Sequence, residues 1–327
     1  MLKAIGLPLL RILSVLVIVL TFVLLSISRP ILWSLDQTVL DVSANPKVLQ
    51  RHVKTLSTDF YPRNLNVPEN VVGAAQYIRG LLKKTTSTVY EQSYLTGVDK
   101  HINIIAEYGP ESPEVIVVGA HYDTYYETPG ADDNASGVAG LLELGRLLSS
   151  AKLPIKVILV AYDTEEPPYF GGEDMGSYHH AKLIKDSEIS VRLMISLEMI
   201  GYFSSEKDSQ SYPHPLFQLV YPNSGDYISI IDQFFSNNAR ELKSTMRQVM
   251  SLGVYSSNVP KMFPGADYSD HRNYWSQGYN AVMITNTAFH RNSEYHTEED
   301  THDRLNYEGM AQVVNGVYWS IMELGRG

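Results

Sequence analysis

The sequence predicts an α/β fold in which a largely parallel sheet carries helices on both faces. Short apolar runs alternate with amphipathic segments along most of the 327 residues, which is typical of strands joined by crossover helices. Histidines and acidic residues directly follow several of the apolar runs. With 44% hydrophobic and 19% charged residues, the chain has a globular composition. We therefore expect one large domain over residues 31–327, after a separate N-terminal segment.

Residues 1–30 form that separate segment. From Leu9 to Ile27 the only charged residue is Arg11, and an apolar helix of this length spans about 28 Å, close to the thickness of a bilayer core. Lys3 and Arg11 lie on its N-terminal side, which favours a cytoplasmic N-terminus and a domain outside the cytoplasm. We expect an uncleaved signal anchor, a single transmembrane helix that attaches the protein to the membrane. A cleaved signal peptide, and hence a secreted protein, is the alternative.

The next part of the chain leads into the sheet. Residues 31–70 contain several prolines and are predicted to be irregular, with one helix near 46–57. Asn70 is an expected helix cap, and apolar residues at helical spacing predict a helix from there to Lys84. Two aliphatic runs then predict strands at 103–108 and 114–120.

The alternation continues to the C-terminus. Aliphatic runs of six or seven residues predict further strands, and longer segments with apolar residues at helical spacing predict helices. The predicted strands are 156–162, 191–197 and 280–286. The predicted helices are 135–150, 176–184, 226–249 and 309–325.

Composition excludes several kinds of partner and site. The net charge is −10 at pH 7 and no basic stripe is visible, so nucleic acid is not an expected partner. The chain has no cysteine, which excludes zinc–thiolate sites and cysteine-protease chemistry. Any metal must therefore be held by nitrogen and oxygen atoms.

Polar side chains gather where the predicted strands end. His121 and Asp123 follow one strand, and the next strand is followed by Asp163, Glu165 and Glu166. Glu198 ends a third, Tyr295 and His296 lie beyond a fourth, and Asp132 and Asp133 precede the helix at 135–150. Functional sites of α/β sheets lie beyond the carboxyl ends of the strands. Two histidines, three carboxylates and a spare glutamate match the ligands of two zinc ions with one shared carboxylate.

Each group alone also has an ordinary structural explanation. His121 with Asp123 would by itself be a buried histidine held by an aspartate, and Asp133 suits a turn or a helix cap. A Glu-Glu pair is common in exposed loops, and His296 taken alone is an ordinary loop residue. Glu198 is harder to explain, because it interrupts the apolar stretch MISLEMIGY and a buried lone carboxylate is costly. Asn134 begins a glycosylation sequon, which we discount because a glycan there would cover the site.

Taken together, the motifs resemble those of the co-catalytic di-zinc aminopeptidase family. That family includes bacterial leucyl-type aminopeptidases and has glutamate carboxypeptidases and glutaminyl cyclases as relatives. The matching blocks are GAHYDT, GADDNASG, the EE pair of AYDTEEP, SLEMIGY, YSDH and YHTEEDT. The resemblance implies a three-layer αβα zinc exopeptidase fold with a mixed, mostly parallel central sheet. It also implies an aminopeptidase that uses two zinc ions to release N-terminal residues from peptides.

The resemblance further implies a set of metal ligands. Asp133 would bridge both zinc ions. His121 and Glu198 would complete one zinc site. Glu166 and His296 would complete the other.

Other residues receive roles in the same way. Glu165 would be the general base, and Asp123 would orient the ring of His121. Tyr295 would hydrogen-bond the developing oxyanion. Asp270 and His271, from YSDH, are expected to support the site.

The chain departs from the family pattern in two places. Glu198 stands where some members have aspartate, so the geometry of ligation is expected to shift. The segment 167–177 is longer and more acidic than the usual connection, and we expect it to form a rim loop that shapes specificity.

Three other functions remain open from the sequence. A glutaminyl cyclase-like acyltransferase would function with one zinc ion, whereas this chain keeps both ligand sets. A carboxypeptidase would need a basic group for the substrate carboxylate, and three arginines lie near the site motifs: Arg272, Arg291 and Arg304. A non-enzymatic binding module usually loses a ligand or the base, and neither is missing here. The oligomeric state is not predicted.

Overall fold

One eight-stranded sheet organises the molecule. The computed structural model describes residues 2–28 and 37–326. Within these ranges the strands are Val89–Thr96 (β1), Asp99–Tyr108 (β2), Glu114–His121 (β3), Lys156–Tyr162 (β4), Ser190–Glu198 (β5), Tyr227–Gln233 (β6), Gly253–Val259 (β7) and Ala281–Thr285 (β8).

The sheet is mixed with a parallel centre. Its strand order is β1-β2-β4-β3-β5-β8-β6-β7. β3 runs parallel to β4 and β5, and β5 runs parallel to β8. The β1–β2, β2–β4 and β6–β8 pairs are antiparallel. The predicted mixed sheet is confirmed, and the carboxyl ends of β4, β3, β5 and β8 meet at one edge.

Helices cover both faces of the sheet. The α-helices of the described ranges are Leu2–Ser28 (α1), Pro46–Lys54 (α2), Pro68–Leu82 (α3), Gly137–Ser149 (α4), Gly176–Asp186 (α5), Asn238–Met246 (α6), His271–Ser276 (α7) and Tyr307–Leu324 (α8). α2, α3, α4, α6 and α8 contribute to one apolar core, and α5 and α7 contribute to the core on the opposite face. The three-layer αβα arrangement is therefore confirmed.

The alternation of side chains in β3 explains why the central strands are apolar throughout. Ile116 and Val118 enter the larger core, whereas Val115 and Val117 enter the smaller one. Successive residues of a strand point to opposite faces, so a strand covered on both sides must be apolar at every position.

The N-terminal helix α1 covers most of the predicted anchor. Its described apolar side chains, from Leu10 to Phe22, are exposed. Among the described residues, we find no helix that is both long and apolar enough to span a bilayer. The transmembrane part of the prediction is therefore not supported. Residues 1 and 29–36, which include the ends of the predicted anchor, lie outside the described residues.

The helix predicted at 226–249 is confirmed for Asn238–Met246 and wrong for the first part of the range. This range contains β6 and, after a short turn, α6. YISII is a short apolar run whose Ile228 and Ile230 enter the larger core, and β6 lies between β7 and β8. β1 and β7 were not predicted, because polar residues interrupt their apolar pattern.

The helix predicted from Asn70 begins earlier, at Pro68. Proline suits the first turn of a helix because its φ is already helical and that turn needs no N–H. Asn70 does not cap the helix; its side chain donates to the carbonyls of Tyr61 and Pro62 at 2.9 and 3.1 Å. The helix predicted near 46–57 is α2, which continues as a wider helical turn over Thr55–Asp59.

Candidate metal centre

The carboxyl edge of the sheet brings the predicted site residues together. His121 and Glu198 are the last residues of β3 and β5. Glu165 and Glu166 follow β4 after a two-residue connection. The remaining ligands lie in loops: Asp133 precedes α4, and His296 follows β8.

A first group of possible metal ligands forms around His121. Its Nε2 lies 3.3 Å from Asp133 Oδ1 and 3.4 Å from Glu198 Oε2. The three side chains are buried, and their ligand atoms lie within 4.8 Å of one another. Three such ligands hold one divalent cation and leave a position for water.

A second group shares one residue with the first. His296 Nε2 lies 3.2 Å from Asp133 Oδ2 and 3.3 Å from Glu166 Oε1. Asp133 therefore turns one carboxylate oxygen toward each group. A carboxylate shared in this way is the arrangement of a two-metal site.

Buried polar atoms in both groups lack hydrogen-bond partners among the described residues. They are Nε2 of His121, Nε2 of His296 and Oε1 of Glu166. Leaving such atoms unpaired in the interior is costly. Their convergence on two points means that the residues fit a pair of cations.

The crowding of charges shifts the pKa values of the ligands. Burial lowers the pKa of His296, but the carboxylates of Asp133 and Glu166 outweigh it and raise the pKa to about 10. Burial and the charge of Asp133 raise the pKa of Glu166 to about 7. A cation that binds at neutral pH must therefore displace the proton of His296.

Asp123 connects two of the ligand segments. Its Oδ1 lies 3.3 Å from Nδ1 of His121, the nitrogen that faces away from the first group. The same carboxylate accepts the backbone N–H groups of Glu165 and Glu166 at 3.2 and 2.9 Å. A carboxylate in this position fixes the orientation of a metal-binding imidazole.

Glu165 is buried beside the first group without belonging to either group. Its Oε2 lies 4.0 Å from His121 Nε2. Burial raises the pKa of Glu165 well above its usual value; His121 opposes this shift, and Glu166 and Glu198 add to it. A carboxylate that accepts protons closer to neutral pH suits general-base catalysis.

Two further aspartates hold Asp133 in place. Asp300 accepts the backbone N–H groups of Asp132 and Asp133, with distances of 3.0 to 3.1 Å. Asp132 accepts the backbone N–H of Gly201 at 2.9 Å and the side-chain amide of Asn286 at 2.7 Å. Asp300 was not predicted, because nothing in the local sequence shows which distant backbone groups it reaches.

Asn134, the first residue of the sequon, is also fully buried. Its side chain donates to Leu197 O at 2.8 Å and accepts the backbone N–H of Met199 at 3.1 Å. This side chain is therefore committed to the connection between the turn at Asp133 and the end of β5.

Aromatic rings enclose His296. The ring of Tyr125 stacks on it with centroids 4.0 Å apart, and Tyr295 packs against it at 3.7 Å. Burial raises the pKa of Tyr295, and the charges of Asp133 and Glu166 add to the effect. Tyr295 is therefore a neutral hydroxyl beside the ligand groups. Tyr125 was not predicted, since a tyrosine in a loop carries no distinguishing signal.

The YSDH motif also contributes through a residue that was not predicted. Ser269 donates to Glu198 Oε2 at 2.7 Å. Asp270 is fully buried, and burial raises its pKa to about 7. The ring of His271 is 2.9 Å from Ala266 O and packs on Trp275, so His271 supports the local fold instead of the ligands.

An apolar pocket opens beside the first ligand group. Glu198 and Tyr295 are part of its wall. Other large side chains that line it are Phe217, Tyr221, Phe263, Tyr268, Met283 and Phe289. The segment expected to form a rim loop reaches this wall, because Phe170 packs edge-on against Tyr268 with centroids 5.9 Å apart.

The three arginines near the site motifs all have protein partners. Arg291 is buried and donates to Tyr227 O and to Gln210 Oε1 at 2.7 and 2.8 Å. Arg272 pairs with Asp267 at 3.5 Å, and Arg304 donates to Asn292 at 3.0 Å. Nη2 of Arg291 has no hydrogen-bond partner among the described residues, so the carboxypeptidase alternative stays open.

Similarity to known proteins agrees with this geometry. The family model described as Peptidase family M28 matches residues 103–319, a range that contains all five ligand candidates and Glu165. An uncharacterized protein of Escherichia coli, YfbL, is 45% identical over 283 residues, which are 84% of this chain and 87% of that protein. A probable leucine aminopeptidase of Arthroderma otae is 25% identical over 287 residues, which are 82% of this chain and 70% of that protein.

Solved structures share the fold. Among them is a glutaminyl cyclase of Bacteroides thetaiotaomicron bound to N-acetylhistamine, with a TM-score of 0.63 and 18% identity. The likeness covers 86% of this chain and 98% of that one. Since the family match spans most of the sheet and every ligand candidate, the chain belongs to peptidase family M28.

Proposed function

We propose that this protein is an aminopeptidase that uses two zinc ions to remove N-terminal residues from peptides. The observation that carries the proposal is the position of Asp133, whose two oxygens face two separate ligand groups. Membership of a peptidase family supports hydrolysis of peptide bonds. The relative named as a probable leucine aminopeptidase supports cleavage at the N-terminus.

The donor set suits zinc. Imidazole nitrogen and carboxylate oxygen are common zinc ligands, and the chain offers no thiolate. His121 and Glu198 would hold one ion, Glu166 and His296 the other, and Asp133 would hold both. When bound, two zinc ions supply a water activated near neutral pH and polarise the carbonyl to be attacked.

The protein's own side chains manage the protons and the developing charge. Glu165 takes the proton of the attacking water and delivers it to the leaving amine. Asp123 keeps the ring of His121 in its ligating orientation. Tyr295 donates its hydroxyl to the oxygen that gains negative charge in the transition state.

The apolar pocket supports a preference for substrates that begin with an apolar residue. Its wall includes Glu198 and Tyr295, so a side chain that fills it lies beside the reacting groups. Phe263 and Met283 offer apolar surface to such a side chain. The free amino group of the substrate would then lie among the carboxylates of the ligand groups.

The proposal is tested with a panel of aminoacyl chromogenic amides and with peptides whose N-termini are blocked. We expect zinc-loaded protein to cleave leucyl amides and to leave the blocked peptides intact, and a chelator to abolish cleavage. Cleavage of blocked peptides at an equal rate would contradict an aminopeptidase.

A glutaminyl cyclase-like acyltransferase is the second candidate. It is supported by the likeness of the fold to that of a solved glutaminyl cyclase, because the two structures align over 98% of the cyclase chain. The presence of two ligand groups argues for the hydrolase. Formation of pyroglutamate from an N-terminal glutaminyl peptide, with one zinc ion per chain, would favour the cyclase.

We propose that the protein is attached to a membrane with its domain outside the cytoplasm. The support is the apolar run from Leu9 to Ile27, with Lys3 and Arg11 on its N-terminal side. Membrane fractionation of the full chain and of a chain that lacks residues 1–30 tests this. Recovery of both forms in the soluble fraction would contradict it.

A further inference from the structure

The loop that carries two of the site aspartates is held by a segment outside the family match. We call residues 122–133 the ligand loop, since it contains Asp123 and Asp133. The segment that holds it, residues 61–64, precedes α3, whereas the family match begins at residue 103. Tyr61 donates its hydroxyl to Glu127 O at 3.0 Å, and Asn64 donates its side-chain amide to Tyr126 O.

The central residue of that segment, Arg63, is fully buried and binds both ends of the ligand loop. Its Nε donates to Tyr122 O at 2.7 Å, next to Asp123. At the other end of the loop, Nη1 donates to Pro129 O and Nη2 to Gly130 O, both at 2.9 Å.

Further bonds join Arg63 to its surroundings. Nη1 also donates to Leu56 O at 2.7 Å. The backbone N–H of Thr124 donates to Arg63 O at 2.8 Å, and the backbone N–H of Arg63 donates to the hydroxyl of Thr124 at 3.0 Å. A planar guanidinium can serve several fixed acceptors at once, which the single ammonium of lysine cannot.

The conformation of the loop is adapted to this contact. Gly130 has φ of +56°, and a Cβ added there would lie 2.9 Å from Arg63 Nη2 and 2.3 Å from Asp133 O. Glycine therefore permits both the left-handed turn and the close approach of the guanidinium. The hydrogen-bond acceptors of Arg63 are neutral carbonyls, although the carboxylates of Asp123 and Asp133 act on its charge.

We propose that Arg63 is a positioning residue for the metal centre. By fixing both ends of the ligand loop, it places Asp133 between the two ligand groups and Asp123 behind His121. The inference rests on the proposed two-zinc function, but it concerns the affinity for zinc and not the reaction that follows.

The charge of Arg63 and its hydrogen bonds to the ligand loop predict opposite changes in zinc affinity when Arg63 is replaced. A buried cation near the ligands repels zinc, so removing only its charge would tighten zinc binding. Loss of the hydrogen bonds releases the loop and weakens zinc binding, by about 10- to 100-fold when a residue that orients a ligand is removed. Arg63→Met removes charge and bonds, whereas Arg63→Lys keeps the charge and loses most of the bonds.

The experiment compares the zinc affinity of metal-free wild type, Arg63→Met and Arg63→Lys by competition with a chromophoric chelator. Circular dichroism of each variant confirms the folded fraction. Arg146→Met is the control, because Arg146 also donates to a main-chain carbonyl, Ser43 O, but is exposed, pairs with Glu143 and lies at the far end of α4. We expect both Arg63 variants to bind both zinc equivalents at least about tenfold more weakly, since Asp133 is shared, and the control to bind as wild type.

Several outcomes would overturn the proposal. Tighter binding by Arg63→Met with unchanged binding by Arg63→Lys would assign Arg63 a purely electrostatic effect. Lower stability of both variants with unchanged zinc affinity would assign it a role in folding alone. If Arg63→Met does not fold, Arg63→Lys and Thr124→Val carry the test; Thr124→Val removes one bond between the loop and the segment, and unchanged affinity in both would contradict the proposal.

If the aminopeptidase proposal is wrong, the wild-type protein shows this independently of the Arg63 variants. Wild-type protein that binds two zinc ions but cleaves none of the panel would contradict the aminopeptidase and leave the role of Arg63 standing. Wild-type protein that takes up no zinc would overturn both.

Discussion

The hydroxyl of Ser269 donates a 2.7 Å hydrogen bond to Oε2 of Glu198, the oxygen that lies 3.4 Å from His121 Nε2. Ser269 is held in turn by Ser196 Oγ at 2.8 Å. A glutamate has one more rotatable bond than an aspartate, so a ligand of this length needs an additional constraint. Ser269 supplies that constraint from the loop before α7.

Replacing this serine should weaken the first zinc site. Ser269→Ala removes the bond that orients Glu198, and we expect zinc affinity to fall about tenfold. Competition with a chelator measures the change, and Ser276→Ala is the control because its hydroxyl donates to Asn273 O at 2.7 Å, within α7 itself. Equal affinity in Ser269→Ala and wild type would show that Glu198 needs no such support.

Glu165→Gln should abolish turnover and leave zinc bound. The amide cannot accept the proton of the attacking water, so we expect kcat to fall by about 10²- to 10⁴-fold. Elemental analysis should find the same zinc content as in wild type, because Glu165 belongs to neither ligand group. Glu308→Gln, exposed in the first turn of α8, is the control. A variant that keeps full activity would refute the assignment of the base.

Zinc binding should release protons and strengthen as the pH rises. The pKa of His296 is raised to about 10 and that of Glu166 to about 7, so at pH 7 the metal-free site holds protons that zinc must displace. Calorimetry in two buffers of different ionisation enthalpy measures the released protons directly. We expect the dissociation constant to fall between about pH 6 and pH 9. A dissociation constant that does not change over this range would mean that neither group is protonated.

Removing an aromatic side chain from the pocket should reduce the preference for large apolar residues. Phe263 lines the pocket and packs against Phe217, with centroids 5.6 Å apart. We expect Phe263→Ala to lower kcat/KM for a leucyl amide by about tenfold and to change the alanyl amide much less. Phe235→Ala is the control, since Phe235 is 84% exposed and lies outside the pocket. An equal loss for both substrates would indicate damage to the reacting groups themselves.

The sequence predicts two of the ligand candidates because each one ends an apolar strand, and the other three through their positions before or after such patterned elements. Glu198 stands at the end of an apolar strand, and His121 does the same in β3. The alternation of strands and helices predicts a parallel sheet. Parallel strands bring their carboxyl ends, and the residues that follow them, to one edge of that sheet.

The residues that hold the ligands are not predictable in this way. Asp300 accepts a backbone N–H from Asp132, 168 positions earlier in the chain, and Arg63 acts through carbonyl groups that every residue possesses. Such contacts depend on the final fold and produce no periodic pattern in the sequence. The same limit explains the wrong first part of the helix predicted at 226–249, where β6 is defined by its neighbours β7 and β8 as much as by its own residues.

The order of the ligands along the chain has a consequence for how the enzyme is made. The first group has its last ligand at Glu198, whereas the second is completed by His296, which follows β8. Because a chain is made from its N-terminus, all ligands of the first group emerge from the ribosome before the histidine of the second. Occupancy of both metal positions would therefore depend on the late-made segment that carries His296.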